Sequence, residues 1–195
     1  VKLILASSSP RRAEVLRDAG IAFEICAARV DEDTHPGETA QAMVARLAEA
    51  KARKVAEKIG GSKGDCIVVG ADTTVELDGE IFGKPSDAAD ARKMLAALAG
   101  RTHHVLTGIF LVRLPDGAAR AAVESTSVTF ATLSPGEIAD YVAGGEPMDK
   151  AGGYAIQGVA GRYISRIEGC YFNVVGLPLA KLHVLLRVLG WPEQK

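Results

Sequence analysis

The order of the apolar segments constrains this chain more than any other feature. KLILA (2–6) is an apolar run of strand length, and Ser9-Pro10 then opens a helix that runs to about Gly20. FEIC (23–26) reads as a second strand, and residues 39–58 form the clearest helix. CIVVGADTTVEL (66–77) follows and begins as a buried strand. From there the pattern changes. LDGEIF (77–82) holds an Asp-Gly hairpin turn, and 87–99 reads as a helix. Two long strands, 102–114 and 122–133, are joined across a Pro-Asp-Gly turn. A capped helix over 134–143, a strand over 162–169 and a helix over 173–190, bent near Pro178, complete the chain. Alternating strands and helices followed by long antiparallel strands indicate an α/β domain with a mixed sheet. No repeat, low-complexity tract or long linker divides the 195 residues, so one domain over 1–195 is expected.

Hydrophobic residues make up 48% of the chain and charged ones 24%, enough apolar material for a sizeable core. The 23 basic residues are balanced by 24 acidic ones, giving a net charge of −1. With aromatic residues at 5%, this balance argues against a nucleic-acid partner and leaves anion binding to local groups. Cys26, Cys66 and Cys170 are odd in number and widely spaced, without a C-x-x-C pair. Reduced thiols are expected, not a disulfide framework or a zinc knuckle. Apolar runs such as GIFLV (108–112) are too short to span a bilayer, and the first residues hold no signal-type apolar stretch. No membrane partner and a cytoplasmic location are the expectations.

Four stretches carry chemistry. SSSPRR (7–12) joins a helix N-terminus to three hydroxyls and two guanidinium groups, which suits a phosphate; it also fits an ordinary Ser-Pro cap with two surface arginines. No G-x-x-x-x-G-K-[ST] occurs, which excludes a P-loop. Lys51 lies on the apolar stripe of Val44, Leu47 and Val55, where a lysine either snorkels outward or meets a buried anion. Lys54 lies near that side, while Glu49, Arg53 and Glu57 form a solvated face. Asp72 follows Gly70-Ala71 at the end of a buried run; it caps a turn, or it holds a metal or takes a proton from water. The small residues before it suggest that something approaches closely. Gln157, bracketed by glycines, is either a surface residue or an amide that matches the edge of uracil or thymine, and by rotating, of cytosine. Lys84 in a Gly-Lys-Pro turn and Glu32 in an acidic loop read alone as solvated charges. His35, His103, His104 and His183 show no metal-ligand spacing and receive no such role.

Taken in order, ASSSPRRAEVL, VDED…PGE, RLAEAKA, VGADTTV, GKP, RTHHVLTG and DKAGGYAIQG resemble the Maf family across nearly the whole chain. The resemblance implies a two-lobed, elongated mixed α/β fold related to inosine triphosphatases, with a central cleft and often a homodimeric state. It implies hydrolysis of a nucleoside triphosphate to monophosphate and pyrophosphate with a divalent metal cation, Mg²⁺ or Mn²⁺. Carried over by position, Asp72 accepts the proton of the attacking water and, with Glu32, holds the metal. Ser7, Arg12, Lys51 and Lys84 hold phosphates, and Arg11, Thr73 and Gln157 set the choice of base. Arg11 stands where a 7-methyl-GTP subgroup tends to carry an aromatic residue, so the resemblance favours dTTP and UTP. The alternatives are a modified-purine pyrophosphatase and a non-catalytic nucleotide-binding regulator of cell division.

Overall fold

The computed structural model describes residues 1–27, 29–60 and 64–192. Seven strands form one mixed sheet: β1 (Lys2–Leu5), β2 (Glu24–Ile25), β3 (Cys66–Leu77), β4 (Glu80–Phe82), β5 (Thr102–Leu114), β6 (Ala119–Phe130) and β7 (Ile164–Glu168). Their order is β2-β1-β3-β5-β6-β7, with β4 beside β3. The pairs β1–β2 and β1–β3 are parallel and the others antiparallel, so the mixed sheet expected from the segment order is present.

Local signals account for most element boundaries. Helix α1 (Pro10–Asp18) begins with Pro10, whose missing N–H costs nothing at that position. Ser9 sits at the N-cap but its hydroxyl makes no cap bond; the Ser9 N–H donates instead to Ser7 Oγ at 3.2 Å. In α2 (Ala40–Ile59) the Thr39 hydroxyl accepts from Ala42 N–H at 3.2 Å. Asp87 caps α3 (Ala88–Leu98) in the same way, and Ser134 with Glu137 forms a reciprocal capping box on α4 (Pro135–Ala143). Asp78 and Gly79, at φ 53° and 85°, make the two-residue turn between β3 and β4.

Three expectations shift. The strand expected over 122–133 is β6, which starts and ends three residues earlier, because its pairing with β5 begins at Val112–Ala119 right after the turn. FEIC shortens to β2 at Glu24 and Ile25, with the Cys26 N–H donating to the Leu5 carbonyl just beyond it. The single C-terminal helix is instead two, α5 (Tyr171–Val175) and α6 (Leu179–Val188). Gly176 turns left-handed at φ 123° after α5, and Pro178 has no N–H to carry a helix through.

Both faces of the sheet are covered. Ala48, Ala52 and Val55 of α2 pack on Ile4, Val68 and Phe110 on one side. Leu16 of α1 and Leu182 and Leu186 of α6 pack on Leu3, Val69 and Leu111 on the other. A further cluster under α3 and α4 gathers Val75, Leu95, Val128 and Phe130 at the opposite end of the sheet. Two glycines set the height of α2. A Cβ on Gly70 would run into the Ala48 carbonyl, and one on Gly108 into the Val44 carbonyl. The close approach suggested by the small residue before Asp72 is therefore that of α2 itself.

Candidate active site

A break in the sheet edge creates the site. β1 pairs with β3 only up to Val69, and β4 joins β3 only from Val75. Residues 70–74 between them have β5 on one side and, among the described residues, no strand on the other. Asp72 sits at the middle of this gap, opposite Gly108. It is thus mid-strand in β3, and the strand end that opens beside it is that of parallel β1. Ligands commonly gather beyond such ends in open parallel sheets.

The gap opens into a cleft of about 500 Å³. Ser7, Arg11 and Arg12 line it from the start of α1, Glu32 from the loop between β2 and α2, and Lys51 from α2. Asp72 and Thr73 line it from β3, Lys84 from the turn after β4, and Gln157 from the segment beyond α4. Every residue singled out in the sequence for chemistry therefore borders one cavity, except Lys54, which is exposed on the solvated side of α2.

Lys51 is 9% exposed, and its ammonium lies 2.6 Å from Asp72 Oδ1 and 2.6 Å from Glu32 Oε1. Of the two readings open to a lysine on an apolar stripe, the buried anion is the one found. Gly70 and Gly108 make this contact possible by letting α2 settle on β3 and β5. Burial pushes the Glu32 carboxyl up, but its hydrogen bond to Lys51 and the charges of Lys51, Lys84 and Arg12 outweigh this and hold it below the usual range.

Arg12 is 8% exposed and is no surface cap. Its Nε donates to the Gly176 carbonyl at 2.8 Å, Nη1 to Ser7 Oγ at 2.9 Å and Nη2 to Thr73 Oγ1 at 3.0 Å. Burial lowers its pKa, with Asp72 acting in the opposite direction. Arg11 reaches across the cleft to Asp149, with Nη1 3.5 Å from Oδ2. Asp149 and its neighbour Lys150 also line the cavity. Neither was singled out, although both lie in the DKAGGYAIQG stretch; their charges resemble those of any polar turn.

The loop that bears Gln157 is latched from below. Glu146 Oε2 accepts from Val159 N–H at 2.9 Å, and Glu146 Oε1 accepts from the Tyr141 hydroxyl at 2.8 Å. Gly158 leaves room there, since a Cβ would press on the Glu146 carboxylate and displace it. Behind this loop, buried His103 Nε2 lies 2.6 Å from the Tyr154 hydroxyl, and burial brings the His103 pKa down to about 4. It packs against the cleft wall as a neutral ring.

The donor set suits a hard divalent cation. Asp72 and Glu32 each present an oxygen to the same point, now taken by the Lys51 ammonium. Among the described residues no cluster of three or more His, Cys, Asp or Glu side chains is suited to a metal. Two carboxylates are what a magnesium-like ion takes from protein when phosphate oxygens and water complete its shell.

Known proteins resemble this chain over most of its length. A "dTTP/UTP pyrophosphatase" of Anaeromyxobacter sp. (strain Fw109-5) is 52% identical over 194 residues, 98% of this chain and 91% of that protein. Another protein of that name, from Symbiobacterium thermophilum, is 50% identical over 98% of this chain and 95% of its own length. Among solved structures, the Staphylococcus aureus Ham1 protein overlays on 67% of this chain and 72% of its own at 18% identity, with a TM-score of 0.46. Residues 2–189 match the family described as Maf-like protein. With its pattern of motifs converging on one cleft, the chain belongs to the Maf family.

Proposed function

We propose that the protein hydrolyses dTTP and UTP to the nucleoside monophosphate and pyrophosphate. The observation that carries this reading is the meeting of Asp72, Glu32, Lys51 and Arg12 in one cleft from four separate segments. The names of its relatives, about 50% identical over nearly their full lengths, support it. The unbroken run of pairing from β2 to β7 supports reading the chain as one domain.

Hydrolysis of a phosphoanhydride requires that phosphate charge be offset and that a water be aimed and deprotonated. The start of α1 borders the cleft beside Ser7, and a helix N-terminus offers unpaired N–H groups and a positive dipole end. Arg12, Lys84 and Lys51 add full charges, so the pocket is locally basic within a chain of net charge −1. Asp72, in the cleft and hydrogen-bonded to Lys51, accepts the proton of the attacking water. Asp72 and Glu32 would hold a divalent cation, Mg²⁺ or Mn²⁺, which supplies charge neutralisation at the phosphates when bound. Arg11, Thr73 and Gln157 face the base, and the Gln157 amide matches the edge that uracil and thymine share.

The reading needs no nucleic-acid or membrane partner, and no helix among the described residues is long and apolar enough to cross a membrane. It places the protein with its nucleotide substrates in the cytoplasm. Exposed Tyr171, Phe172, Val184 and Val188 support a homodimer, which sedimentation equilibrium checks. The substrate assignment is tested by a panel of dTTP, UTP, CTP, ATP, GTP and 7-methyl-GTP with Mg²⁺ or Mn²⁺. The expected result is pyrophosphate release strongest with dTTP and UTP. Faster turnover of 7-methyl-GTP, or nucleotide binding without turnover, overturns it.

A further inference from the structure

Thr107 lies in the middle of β5 and is fully buried, beneath the floor of the cleft and outside its lining. Its hydroxyl is 2.9 Å from Thr73 Oγ1 and donates to the Asn173 carbonyl of α5 at 3.1 Å. Thr73 in turn lies 3.0 Å from Arg12 Nη2. The ends of this chain fix its direction. A guanidinium can only donate and a carbonyl can only accept. Arg12 therefore donates to Thr73, Thr73 to Thr107, and Thr107 to Asn173. With the Thr73 proton drawn toward Thr107, the Thr73 oxygen turns its lone pair to Arg12.

Asn173, the acceptor at the far end, is itself immobilised. It is fully buried, and its Nδ2 donates to the Val105 carbonyl and to Thr126 Oγ1, both at 2.9 Å. The chain thus ties the guanidinium to the frame of β5, β6 and α5. Arg12 has five N–H donors, of which Gly176, Ser7 and Thr73 take one each. One N–H on each terminal nitrogen remains, and Arg12 borders the cleft where a phosphate would meet them.

We propose that Thr107 is a positioning residue for this fork: through Thr73 its buried hydroxyl holds Arg12 in the orientation that receives substrate phosphate. The inference rests on the phosphate-holding role proposed for Arg12. It predicts a functional effect from a side chain that touches no substrate. Without the Thr107 hydroxyl, the acceptor left to Thr73 is the Gly176 carbonyl at 3.4 Å, which Arg12 Nε already uses, so Thr73 and Arg12 would compete for it.

The test is kinetic, with dTTP and Mg²⁺, on Thr107→Val, Thr107→Ser, Arg12→Ala and the double variant Thr107→Val/Arg12→Ala. Thr107→Val keeps the shape and removes the hydroxyl. It should lower kcat/KM about tenfold and weaken inhibition by added pyrophosphate by about the same factor. Thr107→Ser restores the hydroxyl and should return kcat/KM to within about twofold of the parent. In the Arg12→Ala background, Thr107→Val should add less than about twofold, since it has no guanidinium left to act through. A Thr107→Val enzyme that melts lower but keeps its kcat/KM and its pyrophosphate inhibition overturns the proposal and leaves Thr107 as packing. So does a double variant whose losses multiply. An Arg12→Ala enzyme with unchanged kcat/KM is a separate failure, because it removes the phosphate role of Arg12 itself.

Discussion

Replacing Lys51 with methionine keeps the length and apolar stem of the side chain and removes the ammonium between Asp72 and Glu32. The consequence follows from burial. Asp72 is 8% exposed and loses a charge partner 2.6 Å away, whereas the Glu32 side chain is 51% exposed and can turn to water. Leaving one buried charge without its partner generally costs about 3–5 kcal/mol. The cleft is open to water, which lowers the figure here to about 2–3 kcal/mol. For a chain of this length that corresponds to a fall in Tm of roughly 5–10 °C. Thermal melts in chelator at neutral pH measure it. Repeating them with excess Mg²⁺ asks whether a divalent cation takes the vacated position between the carboxylates. Saturation to about ten times Kd should return about 1.4 kcal/mol. A Lys51→Met protein that melts within about 1 °C of the parent in chelator would show that the bridge contributes nothing net, as many exposed pairs do. The close seating of α2 would then have no electrostatic purpose.

Other perturbations probe the frame around the site. Gly70→Ala places a methyl group against the Ala48 carbonyl, which is backbone and cannot rotate away. Urea unfolding should show a loss of about 3 kcal/mol, the upper end for overpacking, and the displaced α2 should weaken Mg²⁺ and dTTP binding together. His103 makes a pH prediction. Its folded pKa is about 4 against an ordinary 6.5, so the fold disfavours the protonated ring. Its contribution is complete above about pH 6.5 and is lost as pH falls toward 4, with a span of about 3 kcal/mol. His103→Gln should flatten that part of the stability–pH curve in urea titrations; an unchanged slope would mean that the ring protonates freely. Glu146→Ala removes the carboxylate that holds Val159 and Tyr141, and should raise KM for dTTP several-fold while leaving the melting curve nearly two-state.

What was legible in the sequence was mainly local or periodic. The Asp78-Gly79 turn, the cap of the helix after residue 134 and the apolar stripe of α2 each declare themselves within a few residues, and each is found in place. Lys51 on that stripe was visible as an anomaly. Which anion it meets was not, because Asp72 lies 21 positions away and the seating of α2 depends on Gly70 and Gly108 across two strands. The start of β6 is not legible because Ala119, Arg120 and Ala121 carry no strand signal, and register is set by the partner strand. Pro178 signalled a bend in the last helix, but the full break also needs the left-handed Gly176, whose carbonyl holds Arg12. Thr107 and Asn173 gave no signal at all. Threonine in a strand and asparagine near a helix start are ordinary, and their partners lie 34 or more positions distant. The site roles of Ser7, Arg11, Thr73, Lys84 and Gln157 came from the motif resemblance, since each alone fits a solvated or capping residue equally well.

Phosphorus NMR of the products from dTTP and Mg²⁺, run in parallel on the parent protein and Asp72→Asn, probes the chemistry at its source. The parent should yield thymidine monophosphate and pyrophosphate in equal amounts, while the folded Asp72→Asn protein yields almost none. Thymidine diphosphate with orthophosphate from the parent would mean that the β–γ bond is cleaved instead, and undiminished turnover by Asp72→Asn would mean that the carboxylate in the sheet gap does not activate the water.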